Sequence, residues 1–160
     1  MGDNDSDTER VLCDVNTIAI SLLSDHPGHE YVFPHIRHGF ESEVELLVFN
    51  YFPLRAQYIL TNWYDVEPHR ARNIVQRFLR QPVRVVSADR ETLLNAYAVS
   101  AEKNHDVYDS FLVALTRTHD ADALLTTDTD FKQLCADELF EYRNPVPSEV
   151  LSKFHTGLQG

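Results

Sequence analysis

Five short apolar runs that suit buried strands alternate with helical segments along almost the whole chain of 160 residues. The strand candidates are residues 11–15, 46–49, 83–86, 123–126 and 140–142. A short apolar run closed by polar residues is typical of a strand that is covered on both faces. Because strands of this kind alternate with helices, we expect a three-layer α/β/α sandwich around a mainly parallel central sheet.

Prolines and capping residues mark where the helical segments begin and end. The clearest helix begins at Pro68 and ends before Pro82, and its apolar residues recur at helical spacing. Further helices are predicted from residue 18, over 53–60, from Asp89, over 107–119, over 131–136 and over 147–154. The stretch 24–43 contains two prolines and two glycines, which predicts an irregular segment.

Length and composition indicate one folded domain. Hydrophobic residues make up 43% of the chain and aromatic residues 11%, which is enough for a continuous core. We expect residues 1–9 to form a disordered acidic leader, residues 10–154 to form the domain and residues 155–160 to form a tail. The sequence shows neither the roughly 18 consecutive apolar residues of a membrane span nor a signal peptide, so a cytoplasmic location is expected.

The excess of acidic residues limits the kinds of molecule that the protein can bind. The net charge is −11 and the isoelectric point is near 5.0, which argues against nucleic-acid binding through bulk positive charge. It does not argue against an enzyme that reaches phosphates through metal ions. Lysine is scarce (three residues) and aspartate abundant (14), as a salt-rich cytoplasm such as that of a halophilic archaeon would favour. An ordinary acidic cytosolic protein is the alternative.

Acidic residues from three separate segments are predicted to meet at one edge of the sheet. Asp14 ends the first strand candidate, Asp128 and Asp130 follow the fourth, and Asp109 lies at the start of a helix. In parallel sheets, ligands bind at the carboxyl ends of the strands. Carboxylates that converge there repel one another unless a divalent cation holds them. A hydrated Mg²⁺ ion in such a site is suited to phosphoryl chemistry.

Helix capping is the alternative role for some of these acids. Asp106 suits the N-cap of the helix over 107–119, and Asp109 then suits the far half of a capping pair. Asp130 suits a cap for the helix that begins at Phe131. Asp14 ends a strand and is expected to have no capping role, and Asp128 lies just beyond a strand with threonine on both sides, so these two are the strongest candidates for metal ligands.

Three sequence blocks resemble the signature blocks of the PIN domain family. They are residues 11–17 (VLCDVNT), 107–115 (VYDSFLVAL) and 126–131 (TTDTDF), and they occur in the family's order. The resemblance covers roughly residues 10–154. It implies a Mg²⁺- or Mn²⁺-dependent endoribonuclease that leaves a 3′-hydroxyl and a 5′-phosphate. Such proteins are most often the toxin of a VapBC-type toxin–antitoxin pair, which implies an RNA substrate and an antitoxin partner.

The resemblance also assigns roles by position. Asp14, Asp109 and Asp128 match the metal-binding acids, and Asp130 matches an additional, less regular catalytic acid. Asn16 and Thr126 match polar residues that line the pocket. The family resemblance and the aromatic residues between Tyr51 and Tyr64 also predict a homodimer that uses residues 53–80.

One departure from the family pattern leaves alternatives open. The family places a glutamate at the start of the helix after the second strand, but residues 50–57 contain no acid, and Glu41, Glu43 and Glu45 lie upstream. A catalytically impaired PIN fold that binds RNA or protein is therefore the main alternative. A haloacid-dehalogenase-like phosphatase is another, because residues 14–17 approximate an Asp-x-Asp-x-Thr motif. Its second acid is Asn16 here, and no lysine occupies a matching late motif.

The remaining charged residues give weaker signals. The eight histidines show no metal-binding spacing, and we expect them in surface loops. Arg70, Arg72, Arg77 and Arg80 lie on one side of the helix that begins at Pro68. We expect a solvated helix face there, with contacts to RNA phosphates as the alternative. Cys13 and Cys135 are far apart and form no zinc motif.

Overall fold

The computed structural model describes residues 8–154, which form five strands and eight helices. The strands are β1 (Arg10–Cys13), β2 (Glu45–Phe49), β3 (Val83–Val86), β4 (Ala123–Leu125) and β5 (Glu141–Arg143). The helices are α1 (Val15–Ser21), α2 (His29–Phe40), α3 (Phe52–Trp63), α4 (Pro68–Leu79), α5 (Arg90–Lys103), α6 (Val107–Thr118), α7 (Asp130–Leu134) and α8 (Ser148–Leu151).

All five strands form one sheet in the order β3-β2-β1-β4-β5, and every neighbouring pair is parallel. The chain winds outward from β1 to β3 on one side, then crosses over to β4 and β5 on the other. The strand order therefore reverses between β1 and β4. The predicted α/β/α sandwich is confirmed, and the described sheet is wholly parallel.

Helices cover both faces of the sheet. Successive strand residues point to opposite sides, so each strand contributes to two hydrophobic clusters. On β1, Val11 and Cys13 belong to one hydrophobic cluster and Leu12 to the other. The first cluster is closed by α1 to α4 and by the segment around α8. The second is closed by α5, α6 and α7. This double coverage explains why the strands are continuous apolar runs.

The prediction of an irregular segment over 24–43 is wrong, because α2 (His29–Phe40) occupies most of it. Pro34 lies inside this helix and removes a backbone hydrogen bond, but Val32 and Ile36 on the inner face are fully buried. Gly39 is needed for close packing, since a Cβ atom there would lie 2.2 Å from the Leu46 side chain. The proline and glycine that suggested a loop are thus accommodated within a packed helix.

The structure describes only part of the predicted leader and none of the predicted tail. Residues 1–7 of the predicted leader and the predicted tail, 155–160, lie outside the described residues. Glu9 is described: it forms an ion pair with Arg143, and its carbonyl accepts a hydrogen bond from the Glu45 N–H. No helix within residues 8–154 has the length and apolar character that crossing a membrane requires.

Candidate active site

The predicted site residues lie at the point where the strand order reverses. Asp14 directly follows β1, and Thr126, Asp128 and Asp130 follow the neighbouring strand β4. The Asp14 N–H donates to the Leu125 carbonyl at 2.9 Å, so the two strand ends are joined. Open α/β sheets bind ligands in the crevice at such a reversal. The topology alone therefore brings the first and last predicted blocks together.

Asp14 is buried, and its carboxylate accepts three described hydrogen bonds. Its Oδ1 accepts from the Val15 N–H at 2.7 Å, and its Oδ2 accepts from Thr126 Oγ1 at 2.7 Å and Asn16 Nδ2 at 3.3 Å. Its backbone N–H donates to Leu125, and its carbonyl accepts from the Thr17 N–H and hydroxyl in the first turn of α1. The expectation that Asp14 has no capping role is wrong, because it is the N-cap of α1. Asp14 can cap the helix and also belong to the site, because Oδ1 accepts from the helix N–H and Oδ2 faces Thr126 and Asn16.

Thr126 connects Asp14 to Asp128. Its Oγ1 donates to Asp14 and accepts from the Asp128 N–H at 3.0 Å and from Asn16 Nδ2 at 3.4 Å. Asn16 Oδ1 in turn accepts from the Thr127 N–H at 3.2 Å. The two residues predicted to line the pocket, Asn16 and Thr126, are therefore part of one buried hydrogen-bond network with the acids.

Asp109 reaches the site from the first turn of α6. Asp106 is the N-cap of that helix, as predicted, and its Oδ1 accepts from the Asp109 N–H at 2.9 Å. The Asp109 side chain is free of this capping bond, and its Oδ2 lies 2.9 Å from His105 Nε2. Asp130 has no described capping bond of the kind predicted: α7 begins at Asp130, whose N–H donates to Asp128 Oδ1 at 2.9 Å.

Asp109, Asp128 and Asp130 converge. Each of them has a carboxylate oxygen within 4.8 Å of the others. Asp14 is close enough that its charge and those of Asp109 and Asp128 disfavour one another. Carboxylates from β1, α6 and the segment after β4 are thus brought to one place from positions up to 116 residues apart.

Burial makes ionisation of Asp14, Asp109 and Asp128 costly. It raises the pKa of Asp14 to about 6, although hydrogen bonds from Thr126 and Val15 favour the charged form, and nearby Asp128 and Asp109 add to the increase. Burial likewise raises the pKa of Asp128 to about 6, with Asp109 and Asp130 adding repulsion. The pKa of Asp109 is also raised by burial, against the hydrogen bond from His105. A cation would relieve this cost.

The donor set is chemically suited to a hard divalent cation. Asp14, Asp109, Asp128 and Asp130 offer carboxylate oxygens, which Mg²⁺ and Mn²⁺ prefer to softer ligands. Burial, with repulsion from the neighbouring acids, raises the pKa values of Asp14 and Asp128, as is common for acids at functional sites. The residues present therefore fit a metal of this class.

The carboxylate expected after the second strand is missing from the site. β2 ends at Phe49, and the rings of Phe49, Phe52 and Phe111 pack edge to face there, with centroids 5.0–5.3 Å apart. Glu45 begins β2 at the opposite edge of the sheet, where it pairs with Arg10. No residue from 46 to 64 is acidic. The site thus has four acids, and an aromatic cluster follows β2.

His105 is the residue at this site that the sequence reasoning missed. We expected the histidines in surface loops, yet His105 contacts Asp109, and His26 is buried elsewhere. The available signal was spacing, since His105 precedes Asp109 by four residues across the start of a helix. This spacing places the two side chains within reach only because Asp106 begins the helix between them.

Comparison with solved structures shows a shared fold with toxin proteins. VapC20 of Mycobacterium tuberculosis, a sarcin–ricin-loop-cleaving toxin, has a TM-score of 0.59 and 16% identity, over 77% of this chain and 93% of that chain. VapBC2 from Rickettsia felis, bound to a promoter DNA fragment, has a TM-score of 0.63 and 11% identity, over 84% and 98%. A toxin–antitoxin complex from Klebsiella pneumoniae has a TM-score of 0.58 and 14% identity, over 85% and 98%.

Sequence comparison gives the family. No curated protein matches the sequence significantly. The PIN domain family model, however, matches residues 12–137, which include all four acids. This match covers most of the chain and agrees with the fold comparison. The chain belongs to the PIN domain family.

Proposed function

We propose that this chain is an endoribonuclease that depends on Mg²⁺ or Mn²⁺. The observation that carries the proposal is the convergence of Asp14, Asp109, Asp128 and Asp130 at the reversal point of a parallel sheet. Membership of the PIN family, whose proteins are nucleases, supports the same reaction class. The net charge of −11 makes a metal-bridged approach to phosphate more favourable than a basic surface.

Each acid has a proposed role. Asp14, Asp109 and Asp128 would hold the metal, and Asp130 would help to position it or the attacking water. A divalent cation supplies, when bound, charge neutralisation at the phosphate and activation of water. In-line attack on the phosphodiester then leaves a 3′-hydroxyl and a 5′-phosphate, as the family resemblance implies.

The hydrogen-bond network would hold the acids ready for this role. Thr126 and Asn16 donate to Asp14 Oδ2, which favours its ionised form and fixes its orientation. The Asp130 N–H fixes Asp128 Oδ1 in the same way. Groups that are oriented before the substrate arrives need not reorganise during the reaction, which is a large part of electrostatic catalysis.

We propose further that the protein is the toxin of a toxin–antitoxin pair. Support comes from the fold shared with VapC20, which cleaves the sarcin–ricin loop, and with the Klebsiella pneumoniae toxin–antitoxin complex. RNA is then the substrate and an antitoxin is a protein partner. Co-expression with the product of the neighbouring reading frame, followed by affinity purification, tests this proposal. A product that neither binds nor suppresses activity contradicts it.

A homodimer is proposed from the distribution of exposed apolar side chains. These side chains concentrate on α3 and the residue before it, on the edge strand β3 and on α5: Tyr51, Leu54, Tyr58, Val85, Leu93, Leu94 and Tyr97. Trp63 and Tyr64, by contrast, pack against the core. The proposed interface therefore uses the outer side of α3 and extends to α5, beyond the segment 53–80 that the sequence suggested.

A catalytically impaired PIN fold that binds RNA or protein is the second candidate. The aromatic cluster of Phe49, Phe52 and Phe111 favours it, because it follows β2 where the family pattern places a glutamate. A site with four acids rather than five holds its metal less tightly. Under this candidate the fold binds RNA or a partner without cleaving either.

One experiment separates the two candidates. Wild-type protein is incubated with an end-labelled pool of randomised RNA, with Mg²⁺, with Mn²⁺ or with EDTA. The nuclease proposal requires cleavage that needs metal, leaves ligatable 5′-phosphates and is lost in Asp14→Asn. Asp65→Asn is the matched control, since Asp65 is exposed on the turn between α3 and α4 and its removal leaves the site intact. RNA retention without metal-dependent cleavage supports the impaired-fold candidate instead.

A further inference from the structure

His105 contacts the proposed metal centre through Asp109. Its Nε2 lies 2.9 Å from Asp109 Oδ2, within hydrogen-bond distance, and 3.6 Å from Asp106 Oδ2, beyond it. About a quarter of each of the two paired side chains is exposed, 27% for His105 and 22% for Asp109. The pair therefore lies at the rim of the site, partly shielded from water.

The backbone of His105 is held firmly. It is the single residue between the C-cap of α5, Asn104, and the N-cap of α6, Asp106. Its N–H donates to the Ser100 carbonyl at 3.1 Å, and its carbonyl accepts from Ser100 Oγ at 2.5 Å. With the backbone fixed at both polar groups, only two side-chain torsions remain to place the imidazole.

Asp109 lacks the support that Asp14 receives. Asp14 accepts hydrogen bonds from Thr126, Asn16 and Val15, whereas His105 is the one described donor to the Asp109 carboxylate. Metal-binding carboxylates are usually held by a second hydrogen-bonding group, because this fixes their orientation. His105 is placed to supply that group.

We propose that His105 is a positioning residue that orients Asp109 for the metal through an Nε2–H donor. The inference rests on the proposed metal-dependent function. Because a carboxylate only accepts, the nitrogen that faces Asp109 carries the proton and cannot at the same time coordinate a cation. His105 thus acts through Asp109 and is not itself a ligand. The residues 46–64 contain no acid, so each remaining carboxylate, Asp109 included, carries more of the metal's binding energy.

The test compares two substitutions of His105. His105→Leu removes the donor and keeps much of the volume, whereas His105→Gln keeps an N–H at about the same reach. His69→Leu is the matched control, since His69 is exposed on α4 and makes one 3.4 Å contact with Asn73. Mn²⁺ affinity is measured by titration calorimetry without RNA, and thermal melting of the metal-free proteins checks that each variant is folded.

The proposal expects Mn²⁺ affinity to fall about 10- to 100-fold in His105→Leu, the usual loss when a supporting hydrogen bond to a ligand is removed. His105→Gln should restore most of the affinity, and His69→Leu should match wild type. Unchanged affinity in His105→Leu overturns the proposal. Equal loss in both His105 variants also overturns it, because a requirement for imidazole itself indicates a ligand.

The readout distinguishes this proposal from the proposed nuclease function. Wild type that binds Mn²⁺ but cleaves no RNA contradicts the nuclease function and leaves the His105 comparison valid. Wild type that cleaves RNA with unaltered affinity in His105→Leu contradicts only the positioning role. Wild type that binds no Mn²⁺ contradicts both.

Discussion

Thr126 Oγ1 donates a hydrogen bond to Asp14 Oδ2 at 2.7 Å, across 112 residues of sequence and between the ends of neighbouring strands. The same oxygen accepts from the Asp128 N–H at 3.0 Å. One hydroxyl therefore fixes the two most buried acids of the site relative to each other. Its loss should disturb both acids at once.

Thr126→Val is expected to destabilise the protein by about 1–3 kcal/mol and to reduce RNA cleavage. Valine has nearly the same shape, but it leaves the buried Asp128 N–H without its partner and removes a donor from Asp14. Urea unfolding measures the stability, and the labelled-RNA assay measures cleavage. Thr126→Ser is the control, since it keeps the hydroxyl. Valine and serine variants with equal stability and activity would show that the hydroxyl has no special role.

The sequence predicted the sheet and the position of the acids because both follow from short-range patterns. Apolar runs identify buried strands, and parallel strands bring their carboxyl ends to one edge, so Asp14 and Asp128 were expected at the same edge of the sheet. The position of Asp109 at a helix start and of Asp130 after the fourth strand candidate placed them at the same edge, and the three motif blocks then assigned their roles. None of these inferences needed side-chain packing.

What the sequence did not predict depends on tertiary contacts. α2 was missed because Pro34 and Gly39 suggest a loop, and only the approach of Leu46 shows why a glycine stands in a helix. The pairing of His105 with Asp109 depends on how the chain turns between α5 and α6. Both features depend on how helices and strands pack against one another, which the local sequence pattern does not indicate.

Asp14→Asn is expected to make the metal-free protein more stable at pH 7 than wild type. The pKa of Asp14 is about 6 in the folded protein and about 3.8 in the unfolded chain, so the native state binds more protons between pH 4 and pH 6. Wild-type stability therefore decreases as pH rises through this window, and the penalty at pH 7 is at most about 3 kcal/mol. Asparagine cannot ionise and still suits the N-cap of α1.

Urea unfolding of both proteins at pH 4, 5, 6 and 7 in EDTA measures this effect. The stability difference should be small at pH 4 and largest at pH 7. Removal of the Asp14 charge also relieves its repulsion with Asp109 and Asp128, so the difference reports the cost of burying that charge together with this repulsion. A difference that does not change with pH would mean that Asp14 is not held at an electrostatic cost.

Mn²⁺ is expected to stabilise wild type and to stabilise Asp128→Asn far less. A ligand that binds only the native state adds about 2.7 kcal/mol at 100 times its dissociation constant. Asp128 is central to the acidic group, since its pKa responds to both Asp109 and Asp130. Thermal melts with and without millimolar Mn²⁺ measure the gain, and Asp65→Asn serves as the control. Equal gains in wild type and Asp128→Asn would remove Asp128 from the ligand set.

Leu54→Glu is expected to convert the proposed homodimer to a monomer without loss of folding. Leu54 is 63% exposed on α3 among other exposed apolar residues, so a charge there costs little in the monomer and much in a buried interface. Light scattering at high micromolar concentration gives the mass. Leu139→Glu is the control, because Leu139 is fully exposed and follows α7 rather than lying on α3 or α5. Monomeric wild type would contradict the proposed dimer.

Salt is expected to stabilise this protein. A net charge of −11 on 160 residues produces repulsion that is spread over the whole surface. Raising KCl from about 0.1 M to about 1 M shortens the Debye length from about 10 Å to about 3 Å, which removes most of that repulsion. Some ion pairs that salt would otherwise weaken are shielded, since the Glu138 side chain that binds Lys103 and Arg117 is 6% exposed.

We therefore expect the free energy of unfolding to rise steeply with KCl and RNA cleavage to persist at molar salt. Binding that relies on Lys and Arg contacts to phosphate weakens as salt rises. A cation held by the buried Asp14 and Asp128 is screened much less than surface charges are. Urea unfolding and the RNA assay across a KCl series measure the two effects. A protein that is fully stable in dilute buffer and gains no stability from KCl would contradict the halophilic interpretation. The excess of acidic residues would then point to an arginine-rich antitoxin that covers the acidic surface.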